Sequence, residues 1–351
     1  MTKVYNFMNE MDQEVINFLG SEIKNGKIVI FPTETVYGIG ANIFDPFAVD
    51  KIFDFKGRAN DNPLIVHISD KTMLNDIVFP YSDVERKLID AFMPGPFTII
   101  LNKRDCVNKY VTGGLNTVGV RMPSNIVARK LIKAAGVPIA APSANLSGKP
   151  SGTNIDDVYD EFNGKVDYII DYGDSDIGLE STVVKVIDGI PVILRPGKIT
   201  PEDIIEVVGA VKVHDTVLKP ADLNEKVESP GVKYKHYAPE AKTLLIYSDY
   251  CSYFKEAIKN YIIPNTCIIG PEEWKNDFNC SYYISYGSEN NLSEISKKIY
   301  KSIRLADSYK PNFIIIVGVS NKGEGLAIMN RLLRASSYNF INVDKFRQNK
   351  V

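Results

Sequence analysis

The chain has 351 residues, 41 of them Lys or Arg against 43 Asp or Glu, for a formal net charge of -2 at pH 7. That balance excludes a global positive field that would recruit nucleic acid, so any such contact needs a local patch. The hydrophobic share of 44% and the length leave room for two domains with cores of their own.

Cys106, Cys251, Cys267 and Cys280 are scattered, with no Cys-x-x-Cys pair. This argues against a disulfide framework or a structural zinc and fits a reducing compartment. His67, His214 and His236 are too far apart for a metal pair such as His-Glu-x-x-His. The opening MTKVYNFMNEMDQ has no signal-peptide apolar region, and no apolar run is long enough to span a bilayer. A soluble, cytoplasmic protein without membrane contact is expected.

In chain order, Asp12 can cap a helix whose apolar residues Val15, Ile16, Leu19 and Ile23 recur at helical spacing, with Asn25-Gly26 as its stop. Lys27 to Phe31 reads as a buried strand. Directly after it, Thr33, Glu34, Thr35 and Tyr37 form a polar cluster on a rigid support, where open sheets hold ligands. The plainer reading is a turn whose threonines satisfy local backbone groups. Ala48 to Phe55 reads as a short helix leading into a loop with Lys56 and Arg58 on either side of Gly57, then Asn60, Asp61, Asn62 and Pro63. An ammonium and a planar guanidinium two residues apart suit a phosphate, although most such pairs are surface features. Leu64 to Val66 is a short apolar strand ending in His67.

Asp83 to Phe92 is a helix, Phe97 to Leu101 a strand, and Thr117 to Pro123 a strand in which Arg121 interrupts the apolar pattern. A buried charge must be paired, so Arg121 meets either a ligand carboxylate or an internal acid. After a helix from Ile126 to Ala135, Ser143 and Asn145 alternate with small residues in APSANLSG, with Ser151 and Thr153 at the following turn. Strands at Val183 to Ile187 and Val192 to Leu194 follow, the second ending in Arg195. The chain has neither a Walker-type phosphate loop nor a Gly-x-Gly-x-x-Gly fingerprint, so a nucleotide would need a different grip.

The segment 209–241 is polar and reads as a linker, yet it contains SPGVKYKHYAP at 229–239, which is rich in chemistry for a passive tether. From 242 to 351, strands near Leu244, Thr266, Tyr282 and Phe313 alternate with helices. This predicts a small α/β unit with a largely parallel sheet. Arg331 and Arg334 on its last helix are expected to be solvated or paired with nearby acids.

Taken together, PTETVYGIG (32–40), KGRANDNPLIVH (56–67), PGPFTIIL (94–101), VGVRMP (118–123), APSANLSG (141–148), GLESTVV (178–184), LRPGKIT (194–200) and the linker stretch resemble the threonylcarbamoyl-AMP synthases of the YrdC-domain family in their long two-domain form. Ala59 stands where the family often has proline, and Val232 where it often has methionine; neither change removes a polar contact. The resemblance implies a YrdC-like α/β catalytic domain with an open twisted sheet over 1–208. A linker or lid over 209–241 would join it to a smaller Rossmann-like α/β domain over 242–351.

The implied reaction joins L-threonine, bicarbonate and ATP, with Mg²⁺ on the triphosphate, into threonylcarbamoyl-AMP and diphosphate. This is a nucleotidyl transfer whose product other proteins pass to an adenosine beside the tRNA anticodon. Carried over residue by residue, the resemblance places Thr35, His67, Arg121, the backbone at Ala141, and Ser181 around threonine. It places Arg58, Asn62, Thr117, Ser143, Ser151, Arg195 and Tyr234 around ATP, and Lys56, Arg58, Ser143 and Asn145 in the signature polar tetrad. No protein metal site, no stable nucleic-acid binding and no dedicated general base are expected. Two other readings are an RNA-binding module, disfavoured by the charge balance, and a carbamoyltransferase of the hydrogenase-maturation type, disfavoured by the missing Cys-x-x-Cys pairs.

Overall fold

The computed structural model describes residues 1–220, 228–231, 236–248 and 254–346, without the side chains of 345 and 346. The chain divides into two units. The first comprises Met1–Ser147, Ser151–Val217 and the described residues among Ala221–Lys233. The second comprises Gly148–Pro150, Leu218–Pro220 and the described residues among Tyr234–Val351.

The first unit is organised by one sheet. Its strands are β1 (Lys3–Asn6), β2 (Val29–Phe31), β3 (Gly38–Asn42), β4 (Ile65–His67), β5 (Phe97–Asn102), β6 (Thr117–Arg121), β7 (Ile139–Ala140), β8 (Tyr168–Asp171), β9 (Thr182–Ile187), β10 (Ile190–Arg195) and β11 (Lys212–Val213). They lie in the order β1-β8-β2-β3-β7-β4-β6-β5-β9-β10-β11. The sheet is mixed: β4 and β6 run parallel, whereas β7 and β5 flank them antiparallel. β11 lies inside the segment that the sequence marks as linker and pairs with β10.

Both faces of the sheet are covered, and the alternation of side chains along a strand explains how. In β2, Ile30 enters one apolar cluster while Val29 and Phe31 enter the other. The second cluster takes Ile16, Leu19 and Ile23 from the helix Gln13–Lys24, and Val127, Leu131 and Ile132 from the helix Ile126–Ala135. Asp12 caps the former through the amides of Glu14 and Val15, and Asn125 caps the latter through Val127 and Ala128. The first cluster takes Ile52 and Phe53 from Pro46–Lys56, Leu88 and Ile89 from Asp83–Phe92, and Val158 and Phe162 from Ile155–Phe162. Each fully buried side chain of this size contributes roughly 1.5–3 kcal/mol.

One boundary changes the reading of the site. The helix Pro46–Lys56 runs two residues further at its start than the sequence suggests and one further at its end, so Lys56 is its last residue and not a loop residue. Gly57 ends it in the left-handed conformation at φ 58°, which a residue without Cβ adopts at least cost.

The second unit holds a parallel sheet of β12 (Lys242–Tyr247), β13 (Thr266–Gly270), β14 (Tyr282–Ser285), β15 (Phe313–Val317) and β16 (Phe340–Asn342), in the order β14-β13-β15-β12-β16. Parallel pairing requires crossovers, which the helices Phe254–Lys259, Leu292–Ser308 and Gly325–Ala335 occupy. Of the two expectations for Arg331 and Arg334, solvation is corrected here. Both are buried, with the guanidinium of Arg331 over the Tyr237 ring at 5.6 Å and that of Arg334 over the Tyr338 ring at 5.9 Å. Among the described residues, no helix is long and apolar enough to cross a membrane.

Candidate active site

The carboxyl ends of β4 and β6 set the site. The strands are in parallel register with Ile65 beside Gly119 and His67 beside Arg121, so an imidazole and a guanidinium end neighbouring strands. Open sheets collect ligands at such strand ends. Arg121 is 4% exposed, and a guanidinium held there needs several partners. Its Nε donates to the Gly95 carbonyl at 3.3 Å and one terminal nitrogen donates to Thr35 Oγ1 at 2.8 Å. The other terminal nitrogen lies 2.6 Å from Glu34 Oε1. Of the two possibilities left open by the sequence for Arg121, the internal ion pair is present.

Donor counting orders the threonines. Thr33 Oγ1 donates its one proton to the Val36 carbonyl at 2.6 Å, so the 2.8 Å contact between the two hydroxyls has Thr35 as donor. Thr35 therefore accepts from Arg121 and holds it in place. The loop itself is clamped from outside, because the amides of Ile177 and Gly178 donate to the carbonyls of Glu34 and Thr35 at 2.9 and 3.0 Å. The local-turn reading and the ligand-support reading of this cluster are thus compatible.

His67 is buried, and its Nδ1 lies 3.2 Å from the Ile65 carbonyl. Burial, reinforced by the Arg121 charge, pushes its pKa down to about 3. The sign of the consequence is fixed: below pH 6.5 the unfolded chain takes up a proton here that the folded chain refuses. Stability should therefore fall by up to about 1.4 kcal/mol per pH unit between 6.5 and about 3. A His67→Gln variant should lose stability less steeply than the parent between pH 6 and 4 in urea titrations. Parallel slopes would overturn this.

Ala141 is buried beside His67, its amide donating to the same Ile65 carbonyl at 3.0 Å. Ser181 Oγ pairs with Thr98 Oγ1 at 2.8 Å and accepts from Arg195 at 3.1 Å. Arg195 also donates to the Ser181 carbonyl and to the Pro230 carbonyl at 3.3 Å, and is 5% exposed. Gly197 lets this turn lie against the segment before β9: a Cβ there would sit 2.4 Å from the Thr182 amide nitrogen.

Lys56 differs most from its expectation. The sequence places it in a loop suited to a phosphate, yet it is 2% exposed and contacts the Ser143–Asn145 turn. Its Nζ is 2.5 Å from the Ser143 carbonyl, 2.5 Å from the Asn145 carbonyl and 3.5 Å from Asn145 Oδ1. An ammonium has three protons, and all three point at this one turn. Burial, with Arg58 nearby, holds it well below the usual lysine range. Above it, Ser143 Oγ donates to Asn145 Oδ1 at 2.6 Å, and the Leu146 amide donates to the buried carboxylate of Glu161.

Arg58 is half-buried and curls over its own loop, with Nε 3.4 Å from the Asn62 carbonyl and a terminal nitrogen 2.9 Å from that of Pro63. Asn62 is buried, and its Oδ1 accepts no hydrogen bond among the described residues. Ser151, expected at the nucleotide, is fully buried and donates to Glu180 Oε1 at 2.5 Å. Thr117 donates to Glu228 Oε1 at 2.9 Å, and Lys185 meets the other oxygen of that carboxylate at 2.5 Å. Tyr234 lies outside the described residues.

The structure thus joins Thr35, Arg121, His67 and Ala141 around one strand end, and Lys56, Ser143 and Asn145 in one hydrogen-bonded turn. Glu34, Thr98, Glu161, Glu180 and Glu228 complete the surroundings, and sequence reasoning assigned none of them a role. For Glu34 a signal was present: a buried arginine requires a counter-charge, and Glu34 is the acid of the polar cluster after β2.

A family model described as "Telomere recombination" matches residues 21–197, and one described as "Threonylcarbamoyl-AMP synthase, C-terminal domain" matches 199–337. The threonylcarbamoyl-AMP synthase of Pyrococcus abyssi is 39% identical over 98% of this chain and 100% of its own length. That of Bacillus subtilis is 42% identical over 90% of each chain. A crystal structure of P. abyssi Sua5 complexed with L-threonine superposes with a TM-score of 0.91, at 39% identity, over 97% of this chain and 100% of that one.

Proposed function

The chain belongs to the threonylcarbamoyl-AMP synthase family in its long two-domain form, and from that premise we propose that it makes L-threonylcarbamoyl-AMP and diphosphate from L-threonine, bicarbonate and ATP. The observation that carries this reading is the buried guanidinium of Arg121, braced by Thr35 at a strand end, in a chain similar throughout to a threonine-binding relative. A fork of N–H groups is suited to an amino-acid carboxylate.

The amine of threonine attacks bicarbonate carbon, water leaves, and a carbamate oxygen then attacks the α-phosphorus of ATP to expel diphosphate. This is a nucleotidyl transfer, and its transition state needs fixed positive and donor groups more than covalent help. Arg58 supplies a cation, and the Ser143 hydroxyl, which donates to Asn145 Oδ1 in this structure, can turn its one proton to a phosphoryl oxygen. Lys56 acts by pinning the Ser143–Asn145 turn. Asn62 Oδ1 is a buried acceptor suited to an N–H or O–H of the nucleoside. The buried carboxylates of Glu34, Glu161 and Glu180 already serve Arg121, the Leu146 amide and Ser151, so magnesium enters as part of the ATP substrate. Linker residues 228–231 contribute Glu228 to Thr117 and the Pro230 carbonyl to Arg195, which supports a lid role for this stretch. The reaction belongs in the cytoplasm, where a transferase would carry the product to the adenosine beside the tRNA anticodon.

Formation of an AMP adduct, with threonine, bicarbonate and ATP omitted in turn, tests the assignment. Valine should react far less well than threonine, because a buried polar group left without the hydroxyl costs about 1–3 kcal/mol. Serine should lose roughly 1 kcal/mol for its missing methyl. Adduct formation with valine as fast as with threonine would sink the reading.

A further inference from the structure

Glu34 is 5% exposed and makes one charged contact, to Arg121 at 2.6 Å. Neither of its oxygens accepts a hydrogen bond among the described residues. An acceptor of this strength, buried and unmatched, is costly unless a ligand supplies the donor. Its backbone is fixed by the Ile177 amide, so the carboxylate is held beside Arg121 by its local geometry. Arg121 has donors left over. One N–H goes to Gly95 and one to Thr35, while the terminal nitrogen 2.6 Å from Glu34 makes no hydrogen bond among the described residues, so each terminal nitrogen keeps at least one N–H for a substrate carboxylate. An amino acid bound through those N–H groups carries its ammonium within a few bonds of its own carboxylate, so a second carboxylate on the same guanidinium is within its reach.

We propose that Glu34 is a catalytic residue that receives the threonine ammonium and takes its proton. The inference rests on the threonine-site reading above. The transfer breaks one N–H bond, leaves the electron pair on nitrogen and places the proton on a Glu34 oxygen, so the amine becomes nucleophilic and Glu34 neutral. The proton passes to solvent after the N–C bond to bicarbonate carbon has formed. Of the charged or titratable side chains on the elements around it, Arg121 on β6, His67 on β4, and Asp176 and Glu180 on the clamping segment, only Arg121 contacts the carboxylate among the described residues. His67 stays neutral from pH 6 upward and adds no step there.

The test is the initial rate of AMP-adduct formation at saturating ATP and bicarbonate from pH 6 to 9. For the parent enzyme the rate should change little over this range. Glu34→Gln should be about 10²- to 10⁴-fold slower at pH 7 and should climb about tenfold per pH unit as threonine loses its own proton in solution. Glu34→Asp, which keeps the charge beside Arg121, should be slower than the parent with a parent-shaped profile. It guards against a Glu34→Gln chain that fails to fold. A Glu34→Gln profile parallel to the parent, or Glu34→Asp at the parental rate, overturns the proposal. Arg121→Lys separates the two readings by calorimetric threonine binding. If that variant loses threonine affinity while Glu34→Gln keeps the parental profile, only the role of Glu34 fails. If threonine affinity survives in Arg121→Lys, the threonine site itself is misplaced and the proposal falls with it.

Discussion

Replacing Lys56 with methionine should lower both turnover and stability, whereas Arg58→Ala should lower turnover and ATP affinity in a protein that stays as stable as the parent. The difference follows from where the two cations sit. Lys56 is 2% exposed and spends its protons on two carbonyls and the Asn145 side chain. Methionine fills the space of the stem but strands those acceptors, at about 1–3 kcal/mol for each one left buried and unpaired. Asn145 Oδ1 keeps the Ser143 hydroxyl, so two carbonyls are left unpaired and a total loss of about 2–6 kcal/mol is expected in urea titrations. The turn above then drifts, and a displacement of about 1 Å in groups that position substrate costs roughly 100-fold in rate. Arg58 is half-buried and donates to the Asn62 and Pro63 carbonyls of its own half-exposed loop. Solvent can take its place there, so its loss is felt by the triphosphate and not by the core. A Lys56→Met protein as stable as the parent would return Lys56 to the phosphate role that its sequence context suggests.

That contrast shows how far the sequence can be read. The helix Ile126–Ala135 and the cap at Asp12 were legible because apolar spacing and a short polar cap are local signals. So was the pairing of polar motifs with strand ends, since His67 and Arg121 each interrupt an apolar run. The sequence puts Lys56 in a loop because a glycine after a charged residue reads as loop, whereas Gly57 is the helix terminator. The Lys56 neighbours Ser143 and Asn145 lie 87 and 89 positions away, a separation that no local pattern encodes. The strand Tyr168–Asp171 was missed for a related reason. It is four residues long and is stabilised by parallel neighbours from the start of the chain, with Lys3 beside Tyr168. Solvation is one of the two expectations for Arg331 and Arg334 because charged helix residues at that spacing are usually exposed. They are buried, with the rings of Tyr237 and Tyr338 beside them, and nothing in the helix itself announces those ring contacts.

The second large effect concerns the Glu34–Arg121 pair, where stability and function should separate. Arg121 and Glu34 are 4% and 5% exposed, so their attraction is set against the desolvation of both groups. Arg121→Met alone leaves a buried carboxylate without its cation and should cost about 3–5 kcal/mol. Glu34→Met alone leaves the guanidinium, among the described residues, with Gly95 and Thr35 as partners and should also destabilise. Combining the two removes both charges and fills the space with side chains of similar reach. The double variant should recover most of the lost stability, giving a coupling of about 2 kcal/mol or more in a double-mutant cycle. Threonine binding should not recover with it, because the fork that takes the carboxylate is gone. Urea titrations of the four proteins, with calorimetric threonine binding on each, measure both quantities. Additive stability losses would mean that the pair is not coupled in solution. A double variant that binds threonine as the parent does would remove Arg121 from the site.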